Sequence, residues 1–388
     1  MDFNLTEEQE MIRREVAALA ARFDLEYWRD RDTTGEYPHD FVKAFAEAGW
    51  LGIALPEQYG GAGLGITEAC ILLEEICASG SGTSGSSPIH FSMFPPMPIV
   101  KYGTKEQKEA YLPGIVKGEI SLGFSITEPD AGADTSRITT RAVRDGDEYV
   151  ITGRKVWSSN LQNAHRTLIL TRTTPRAEAE KPTMGMTLFL LDLDQPGVTI
   201  REIEKLGRKS VDSNELFLDE VRVKASDMIG EEGRGFYHLL SGLNSERLMV
   251  GAEAVGIGRA ALGLAVKYAN ERLVFDRPIG QNQAVQFPLA MAYAKLEAAR
   301  MMTMKGAWLY DNDQPCGEVA NIAKILAAEA GFEACDVSLQ THGGMGYAKE
   351  YHVERLWREV RLYKIAPVSD QMALNYIGEH VLGLPKSY

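Results

Sequence analysis

Cysteine and histidine are too few and too scattered in this sequence to suggest a metal site. No two of the seven histidines stand four residues apart, and the four cysteines match no C-x-x-C or zinc-ribbon spacing: Cys70, Cys77, Cys316 and Cys335. We therefore expect reduced, buried thiols and no bound metal. The sequence also lacks an uninterrupted run of about 18 apolar residues, so we expect no membrane span.

Positive charge is also scarce. The chain has 41 Lys and Arg against 54 Asp and Glu, a formal net charge of −13, and no dense Lys/Arg block, which argues against a nucleic-acid partner. The opening residues, MDFNLTEEQEM, lack the basic start and apolar run of a secretory signal, so we expect a cytoplasmic protein. With 388 residues, 45% apolar and 24% charged, the composition is typical of a soluble globular protein with two or three domains.

Helical patterns dominate the first 120 residues. Thr6 to Gln9 predicts a capping box, and apolar residues then recur at helical spacing. Further helices are predicted over 40–49, 66–79 and 105–116, separated by Gly/Ser/Pro-rich connectors such as GSGTSGSSP at 80–88.

The pattern changes from residue 120, where β-rich runs alternate with turn dipeptides such as Asp145-Gly146. Beyond residue 235 the sequence predicts long helices over 235–270, 283–310, 317–339 and 351–365. We expect an α+β fold with an N-terminal helical domain over 1–120, a middle antiparallel β domain over 121–234 and a C-terminal helical bundle over 235–388.

Two glycine clusters, YGGAGLG at 59–65 and GIGRAALG at 256–263, resemble dinucleotide-binding loops. Neither follows a strand or lies in a βαβ unit, so we do not expect a Rossmann fold.

Three other segments are harder to explain by packing. FSITEPDAGADTS at 124–136 places polar residues where a β core needs apolar alternation, although taken alone this segment is better explained as a solvated loop than as a ligand-binding loop. ITGRKVWSSN occupies 151–160, and QTHGGMGYAKEYHVERLWRE runs from 340 to 359. In this order and spacing the three segments resemble the acyl-CoA dehydrogenase family, over essentially the whole chain, and that family's fold has two helical domains flanking a β domain.

The resemblance implies a bound FAD. Trp157 would cover the flavin ring, although a core aromatic is the alternative, and the Ser159 hydroxyl would approach flavin N5. Arg272 and Gln283 would hold the diphosphate and adenosine across a subunit interface, because the guanidinium fork suits a diphosphate, and the family is usually a homotetramer. The implied cofactor-binding residues are Phe124, Ile126, Thr127, Gly132, Ala133, Trp157, Ser158, Ser159, Arg272, Phe275, Gln283, Gln340, Gly343, Gly344, Ser369 and Gln371.

The family reaction removes the α-proton of an acyl-CoA thioester while a hydride leaves the β-carbon for the flavin, giving a trans-2-enoyl-CoA. Most members carry the basic glutamate where this chain has Pro367. Some carry it on an earlier helix, in L-x-x-E-R, and LNSERL at 243–248 therefore offers Glu246, with a pKa raised towards roughly 6 to 7 by desolvation. The alternatives are a surface glutamate paired with Arg247, and Asp370 as the next carboxylate.

The resemblance also implies substrate contacts, from Ala133, Asn244, Arg247, Pro367 and Val368. Ala133 replaces a family serine, so one polar contact is missing. Pro367 has no N–H for the thioester carbonyl, which leaves the Val368 N–H or a flavin ribityl hydroxyl as the donor.

We therefore expect an FAD-dependent acyl-CoA dehydrogenase that passes electrons to an electron-transferring flavoprotein. The alternatives are a flavin monooxygenase or acyl-CoA oxidase of the same fold, or a flavin-free helical interaction protein. Segment 90–100, HFSMFPPMPIV, either shapes the acyl pocket or packs in the core. Members with the base on the earlier helix include those that take branched or long acyl chains, which favours such a substrate.

Overall fold

The computed structural model describes residues 3–387. Its N-terminal part is helical, and the predicted capping box is confirmed, because the Gln9 N–H donates to Thr6 Oγ1 at 3.2 Å while the Thr6 N–H donates to Gln9 Oε1 at 3.0 Å. The helices are α1 Glu7–Ala20, α2 Leu25–Thr34, α3 His39–Glu47, α4 Ile66–Ile76, α5 Gly82–His90, α6 Met97–Tyr102 and α7 Lys105–Val116.

The connector expected over 80–88 is wrong. A π-helical turn, Cys77–Ser81, follows α4, and most of the Gly/Ser-rich stretch forms the buried helix α5. Glu359 stabilises the start of α5 by accepting hydrogen bonds from Thr83 Oγ1 at 3.0 Å and Ser84 Oγ at 2.7 Å. A Cβ at Gly82, where φ is +64°, would lie 2.0 Å from Glu359 Oε2, so the close approach requires glycine.

The middle part is one eight-stranded sheet with the order β6-β7-β3-β1-β4-β5-β8, in which β2 pairs with β3 and β4. Most pairs are antiparallel, as expected, but β4 runs parallel to both β1 and β2. The strands are β1 Leu122–Ser125, β2 Arg141–Asp145, β3 Glu148–Ser159, β4 Arg166–Arg172, β5 Met186–Asp192, β6 Val198–Glu202, β7 Ser213–Lys224 and β8 Met228–Ile229.

Helices return after β8, with a short antiparallel pair of strands between α9 and α10. The bounds are α8 Gly235–Leu240, α9 Leu243–Glu271, β9 Leu273–Val274, β10 Arg277–Pro278, α10 Gln283–Asp311, α11 Gly317–His342, α12 Val353–Val360 and α13 Asp370–Tyr376. The single helix expected over 351–365 is wrong, because 3₁₀ turns flank α12 on both sides. The helix expected over 235–270 is interrupted at Ser241 and Gly242.

Helix α9 is the centre of the helical packing, in contact with α4, α10 and α11. The second glycine cluster lies inside α9, where a Cβ at Gly256 would come within 2.3 Å of the Glu74 carbonyl oxygen. These glycines therefore permit close helix contact. The stretch Gly235–Glu271 is apolar enough to cross a membrane by length and composition, but 72% of its most apolar window is buried inside the protein, as in a core helix. The four cysteines are buried and free, as expected.

Candidate active site

The first two sequence motifs meet at the strands β1 and β3. Phe124 pairs with Ser159 across the two strands, and the Val156 N–H donates to the Thr127 carbonyl oxygen at 2.9 Å. Trp157 has a φ of +59° and leaves 56% of its surface exposed, so it is not a core aromatic. The local irregularity of β3 between Lys155 and Ser158 therefore presents a broad aromatic face at the protein surface.

A buried ion pair holds the two motifs together. Lys155 Nζ donates to Glu128 Oε1 at 2.8 Å and to the Ile126 carbonyl oxygen at 3.0 Å, and the Lys155 side chain is fully buried. Glu128 also accepts from Thr139 N at 2.7 Å, Thr139 Oγ1 at 2.9 Å and Thr140 N at 2.9 Å. Glu128 is therefore a structural anchor of the first loop, and its carboxylate is fully occupied within the protein.

The protonation of this pair follows from its contacts. Burial alone would raise the pKa of Glu128, but the Lys155 ammonium and the hydrogen bonds from the threonines hold that pKa at about 2. Burial lowers the pKa of Lys155 to about 8, against the opposing attraction of Glu128. Both groups are charged at neutral pH. This partnership was not predicted from the sequence, where its only signal is one acidic and one basic residue in neighbouring motifs.

The two serines after Trp157 have different surroundings. Ser158 is buried, and its hydroxyl has no hydrogen-bond partner among residues 3–387. Ser159 Oγ accepts from Arg208 Nη2 at 2.9 Å, and the same nitrogen donates to Ser213 Oγ at 2.8 Å. Burial lowers the pKa of Arg208. Arg208 was not predicted from the sequence, because it lies in the β6–β7 connection outside all three motifs.

The first motif continues into an open loop. Thr127 is partly buried and Ile126 is buried, whereas Gly132 and Ala133 are exposed. A Cβ at Gly132 would meet no atom within 4 Å. The loop therefore leaves space beside β1, with the Trp157 ring presented from β3.

Glu246 lies in the first turn of α9. Its Oε2 atom is buried and has no hydrogen-bond partner in the described part of the chain, although the residue as a whole is partly exposed. Burial raises the pKa of Glu246 to about 7, against lowering contributions from His90 and then Arg247, while Glu253 adds to the rise. A carboxyl group of this kind exchanges protons near neutral pH.

The alternative of a Glu246–Arg247 surface pair is wrong. Arg247 Nη1 donates to Asn244 Oδ1 at 2.8 Å, and its buried Nε has no partner within residues 3–387. Burial lowers the pKa of Arg247, against the attraction of Glu246 and Tyr376. Arg247 and Asn244 therefore form a local unit beside Glu246, and no residue within 3–387 forms an ion pair with the Glu246 carboxylate.

Phe94 connects the start of α9 to the strands. Its ring centroid lies 4.8 Å from that of Phe124, and a Cβ at Gly242 would lie 3.7 Å from Phe94 Cε2. Phe94 and Met93 are buried in the core of the helical domain. The 90–100 segment therefore packs in the core. Through Phe94 it also connects the start of α9, which carries Glu246, to strand β1.

Asp370 is unsuited to act as a base. Lys324 Nζ donates to its Oδ1 at 2.7 Å, and Lys364 Nζ lies 2.9 Å from its Oδ2. Ser369 caps α13 by accepting from the Met372 N–H at 3.3 Å, and Gln371 is exposed. Pro367 and Val368 are partly buried, and the Val368 N–H makes no hydrogen bond among residues 3–387.

A second group of predicted cofactor residues lies elsewhere on the surface. Stacking of Tyr268 on His342, with ring centroids 4.4 Å apart, brings the end of α9 beside the end of α11. Phe275 is 94% exposed. No hydrogen bond or aromatic contact within residues 3–387 joins this group to β1 or β3, and all its members are exposed: Arg272, Phe275, Gln283, Gln340, Gly343 and Gly344.

Comparison with known proteins identifies the class. Family models of acyl-CoA dehydrogenase match in order: the N-terminal domain over residues 6–119, the middle domain over 123–221 and the C-terminal domain over 233–382. The chain belongs to the acyl-CoA dehydrogenase family. It is an oxidoreductase of that family, and the family implies a flavin cofactor.

Individual relatives cover nearly the whole chain. Acyl-CoA dehydrogenase FadE12 of Mycobacterium tuberculosis is 39% identical over 99% of this chain and 98% of the relative. The 3-(aryl)acrylate reductase of Clostridium sporogenes is 36% identical over 97% and 99%. The solved glutaryl-coenzyme A dehydrogenase in complex with glutaryl-CoA has a TM-score of 0.94 at 31% identity, covering 100% of this chain and 98% of the other.

The strand site fits a flavin on its own geometry. It offers an exposed indole face at Trp157, open space at Gly132, and at Ser158 a buried hydroxyl with no hydrogen-bond partner between residues 3 and 387. A planar heteroaromatic ring with polar edges needs these features: an aromatic surface, hydrogen-bond donors and close backbone approach.

Proposed function

We propose that the protein is an FAD-dependent acyl-CoA dehydrogenase that converts an acyl-CoA thioester to a trans-2-enoyl-CoA. The Glu246 carboxylate takes the α-proton, the β-carbon loses a hydride, and a carbon–carbon double bond forms between them. FAD, held beside β1 and β3, supplies the acceptor for the hydride. The observation that carries this proposal is the buried Oε2 of Glu246, which has no hydrogen-bond partner in the described part of the chain, together with a pKa raised to about 7.

The surroundings of Glu246 suit a general base. A group with a pKa near the working pH is substantially ionised and still binds a proton strongly enough to remove one from carbon. No ion pair among the described residues competes for its carboxylate, whereas Asp370 is held by two lysines. Glu246 is therefore the acidic residue that we assign to proton abstraction.

FAD would lie against Phe124, Thr127, Trp157, Ser158 and Ser159. We propose that its diphosphate and adenosine reach a second subunit, because the other candidate residues form a separate exposed group around Arg272 and Gly343. Shared sites of this kind require an oligomer, and we propose a homotetramer. Of the remaining candidates, Ser369 and Gln371 flank the start of α13.

Sharing of the site between subunits has its own test. Arg272→Ala should lower both FAD retention and the proportion of assembled protein, because ligand binding and association are linked. FAD content and size-exclusion profiles would be measured with and without added FAD, with the exposed Arg14→Ala as control. A monomer that keeps stoichiometric FAD would contradict the shared site.

The thioester carbonyl needs hydrogen-bond donors as negative charge develops on its oxygen. Pro367 has no N–H, so we propose the free Val368 N–H as the protein donor. Asn244 and Arg247 lie next to Glu246 along α9, and we propose that they contact the substrate from that side.

The same residues would also serve the reverse reaction. Near pH 7 the Glu246 carboxyl is about half protonated, so it could equally return a proton to the α-carbon of an enoyl-CoA. Two relatives with reductase names, at 36% identity each, favour this as the second candidate function. The protein that exchanges electrons with the flavin then decides whether the reaction runs as a dehydrogenation or as a reduction. For this partner we propose an electron-transferring flavoprotein.

The experiment is anaerobic titration of the purified yellow protein. A panel of acyl-CoA thioesters of varied length and branching should bleach the flavin for the best substrate, and heat-released flavin should chromatograph as FAD. Bleaching only by an external reductant, followed by reoxidation with an enoyl-CoA, would support the reductase. Rapid peroxide formation at each turnover would support an oxidase, and absence of FAD would overturn the proposal.

A further inference from the structure

A buried cluster of polar side chains lies between α5 and α9, the helix that carries Glu246. His90, at the end of α5, places Nδ1 3.1 Å from Glu253 Oε1, and the Tyr363 hydroxyl donates to Glu253 Oε2 at 2.7 Å. The exposed fractions are 8% for His90, 2% for Glu253 and 4% for Tyr363. Both oxygens of the Glu253 carboxylate are thus bonded, which fixes the carboxylate and the ring that it holds.

The cluster shares one helix face with the base. Glu246 and Glu253 are seven residues apart on α9, so they lie on the same side, about 10 Å apart along the axis. Helix α5 packs against α9 and carries His90 to that face. The imidazole therefore lies among the carboxylates of the α9 face, with Glu253 as its hydrogen-bond partner.

The charge of the ring follows from these neighbours. Burial by itself would lower the pKa of His90, but Glu253 and then Glu246 outweigh burial and raise it, against a smaller opposing effect of Arg208. The influence is mutual, because after burial His90 is the strongest influence on the pKa of Glu246 and lowers it.

Other ionisable groups around the cluster also influence its charge. Tyr363 and Cys77 are buried, and burial raises the pKa of each well above its usual value, so both stay neutral near pH 7. Arg247 adds a second positive charge beside Glu246, and Glu253 adds a negative one. His90 is therefore the titratable cation whose removal leaves Glu246 facing the buried negative charge of Glu253.

We propose that His90 is a positioning residue for the base: Glu253 holds the imidazolium ring, whose positive charge keeps the Glu246 carboxylate ionised and ready to accept the α-proton. This inference rests on the proposed role of Glu246. Glu253 thereby acts through His90 and needs no contact with the substrate.

The decisive variant is His90→Gln, which keeps a hydrogen-bonding side chain but removes the positive charge. The rate of anaerobic flavin reduction at saturating acyl-CoA is measured against pH, together with acyl-CoA affinity and FAD content. We expect the midpoint of the rise to move upwards by roughly one pH unit, with the plateau rate at high pH and the affinity largely kept. Superimposable pH profiles would overturn the proposal.

A double variant provides the matched test of charge. His90→Gln with Glu253→Gln removes the cation and the anion together and preserves an amide pair, so the midpoint should return close to that of the wild type. A midpoint that stays displaced would mean that the shape of the side chain at position 90, and not its charge, controls the protonation of Glu246. His238→Gln is the control for a buried histidine without a carboxylate hydrogen bond, and its midpoint should match the wild type.

If His90→Gln alone does not fold, His90→Asn decides, because it also removes the positive charge. Its midpoint should move upwards in the same way, and a profile that superimposes on that of the wild type would overturn the proposal. Glu246→Gln distinguishes this inference from the proposed function. Fast flavin reduction in that variant refutes the base itself, whereas a slow Glu246→Gln with an unshifted His90→Gln refutes only His90.

Discussion

Two glutamates of this protein, Glu128 and Glu246, have buried carboxylate oxygens with opposite hydrogen-bonding surroundings. Glu128 is 5% exposed, and both of its oxygens accept hydrogen bonds, one of them from the buried Lys155. Glu246 has one buried oxygen with no hydrogen-bond partner among the residues that the structure describes. The pKa of Glu128 is accordingly held at about 2, where burial is outweighed by Lys155, and that of Glu246 is raised by burial to about 7.

This difference in hydrogen-bond partners distinguishes a structural carboxylate from one that can act as a base. Satisfied hydrogen bonds and an ion pair keep a charge in place but leave it no capacity to take a proton near neutral pH. An unpartnered buried carboxylate costs stability, and that cost is acceptable where the group performs chemistry. Burial alone therefore does not identify a base, and the partners of each oxygen must be examined.

The largest expected effect is on chemistry at Glu246. Glu246→Gln keeps the size of the side chain and removes the basic carboxylate, so flavin reduction by the best acyl-CoA should fall by roughly 10² to 10⁴ while FAD content and acyl-CoA binding persist. Stopped-flow absorbance under anaerobic conditions measures the rate, and the exposed Glu15→Gln is the control. A near-wild-type rate would remove Glu246 from the mechanism.

The next largest effect is on stability at the Glu128 pair. Lys155→Met leaves the Glu128 carboxylate buried without its cation, which should lower the free energy of unfolding by about 3 to 5 kcal/mol. Chemical denaturation of the FAD-free and FAD-bound protein measures this loss.

The control for Lys155→Met is Arg222→Met. Arg222 forms exposed ion pairs with Asp145 at 2.8 Å and Glu148 at 2.7 Å on the same sheet, and because solvent screens them, losing them should cost far less stability than Lys155→Met. Equal losses in the two variants would show that the burial of the Lys155 pair has no special energetic weight.

A smaller effect concerns the dependence of stability on pH. The folded-state pKa of Glu246, about 7, exceeds its model-peptide value of 4.5, so the folded state binds the proton more tightly and the wild type loses stability as pH rises from 4.5 through 7. Glu246→Gln lacks this loss and should be more stable than the wild type at pH 8, by at most about 3 kcal/mol, but not at pH 4.5. Unfolding at several pH values tests the trend, and a constant difference would contradict it.

Glu128 should behave in the opposite sense. Its folded-state pKa, about 2, lies below 4.5, so its contribution to stability is present above pH 4.5 and is lost as pH falls towards 2. The stability difference between Glu128→Gln and the wild type should therefore shrink as pH falls from 5 towards 2, which is the contrast to look for with Glu246→Gln.

The smallest expected effect is at Thr139. Thr139→Val removes one hydroxyl that donates to Glu128 Oε2 at 2.9 Å but keeps the backbone N–H bond, so the loss should be about 1 kcal/mol. Chemical denaturation measures it. The comparison is Thr33→Val, at an exposed site on α2 where the hydroxyl donates to the Arg29 carbonyl oxygen at 2.9 Å. A loss as large as that of Lys155→Met would mean that the hydrogen bonds, and not the cation, hold Glu128.

Much of the fold was predictable from local patterns. The capping box at Thr6, the change from helix to strand near residue 120 and the long helices α10 and α11 each follow from periodicity and turn residues within a short window. Helix α5 was not predictable, because its Gly/Ser-rich sequence favours a connector and its start is stabilised by Glu359, more than 270 residues away. The breaks around α12 were missed for a similar reason, since Arg355 and Glu359 face α5 and the turn before it.

The sequence by itself determined the family, the three motifs and Glu246 as a candidate base, since each depends on residue types at fixed spacing. Only the tertiary structure decided which carboxylates are free. Lys155 meets Glu128, Arg208 meets Ser159 and His90 meets Glu253 across 27, 49 and 163 residues of chain. A pKa depends on burial and on every charge nearby, and the fold brings those charges together from positions that no local pattern connects.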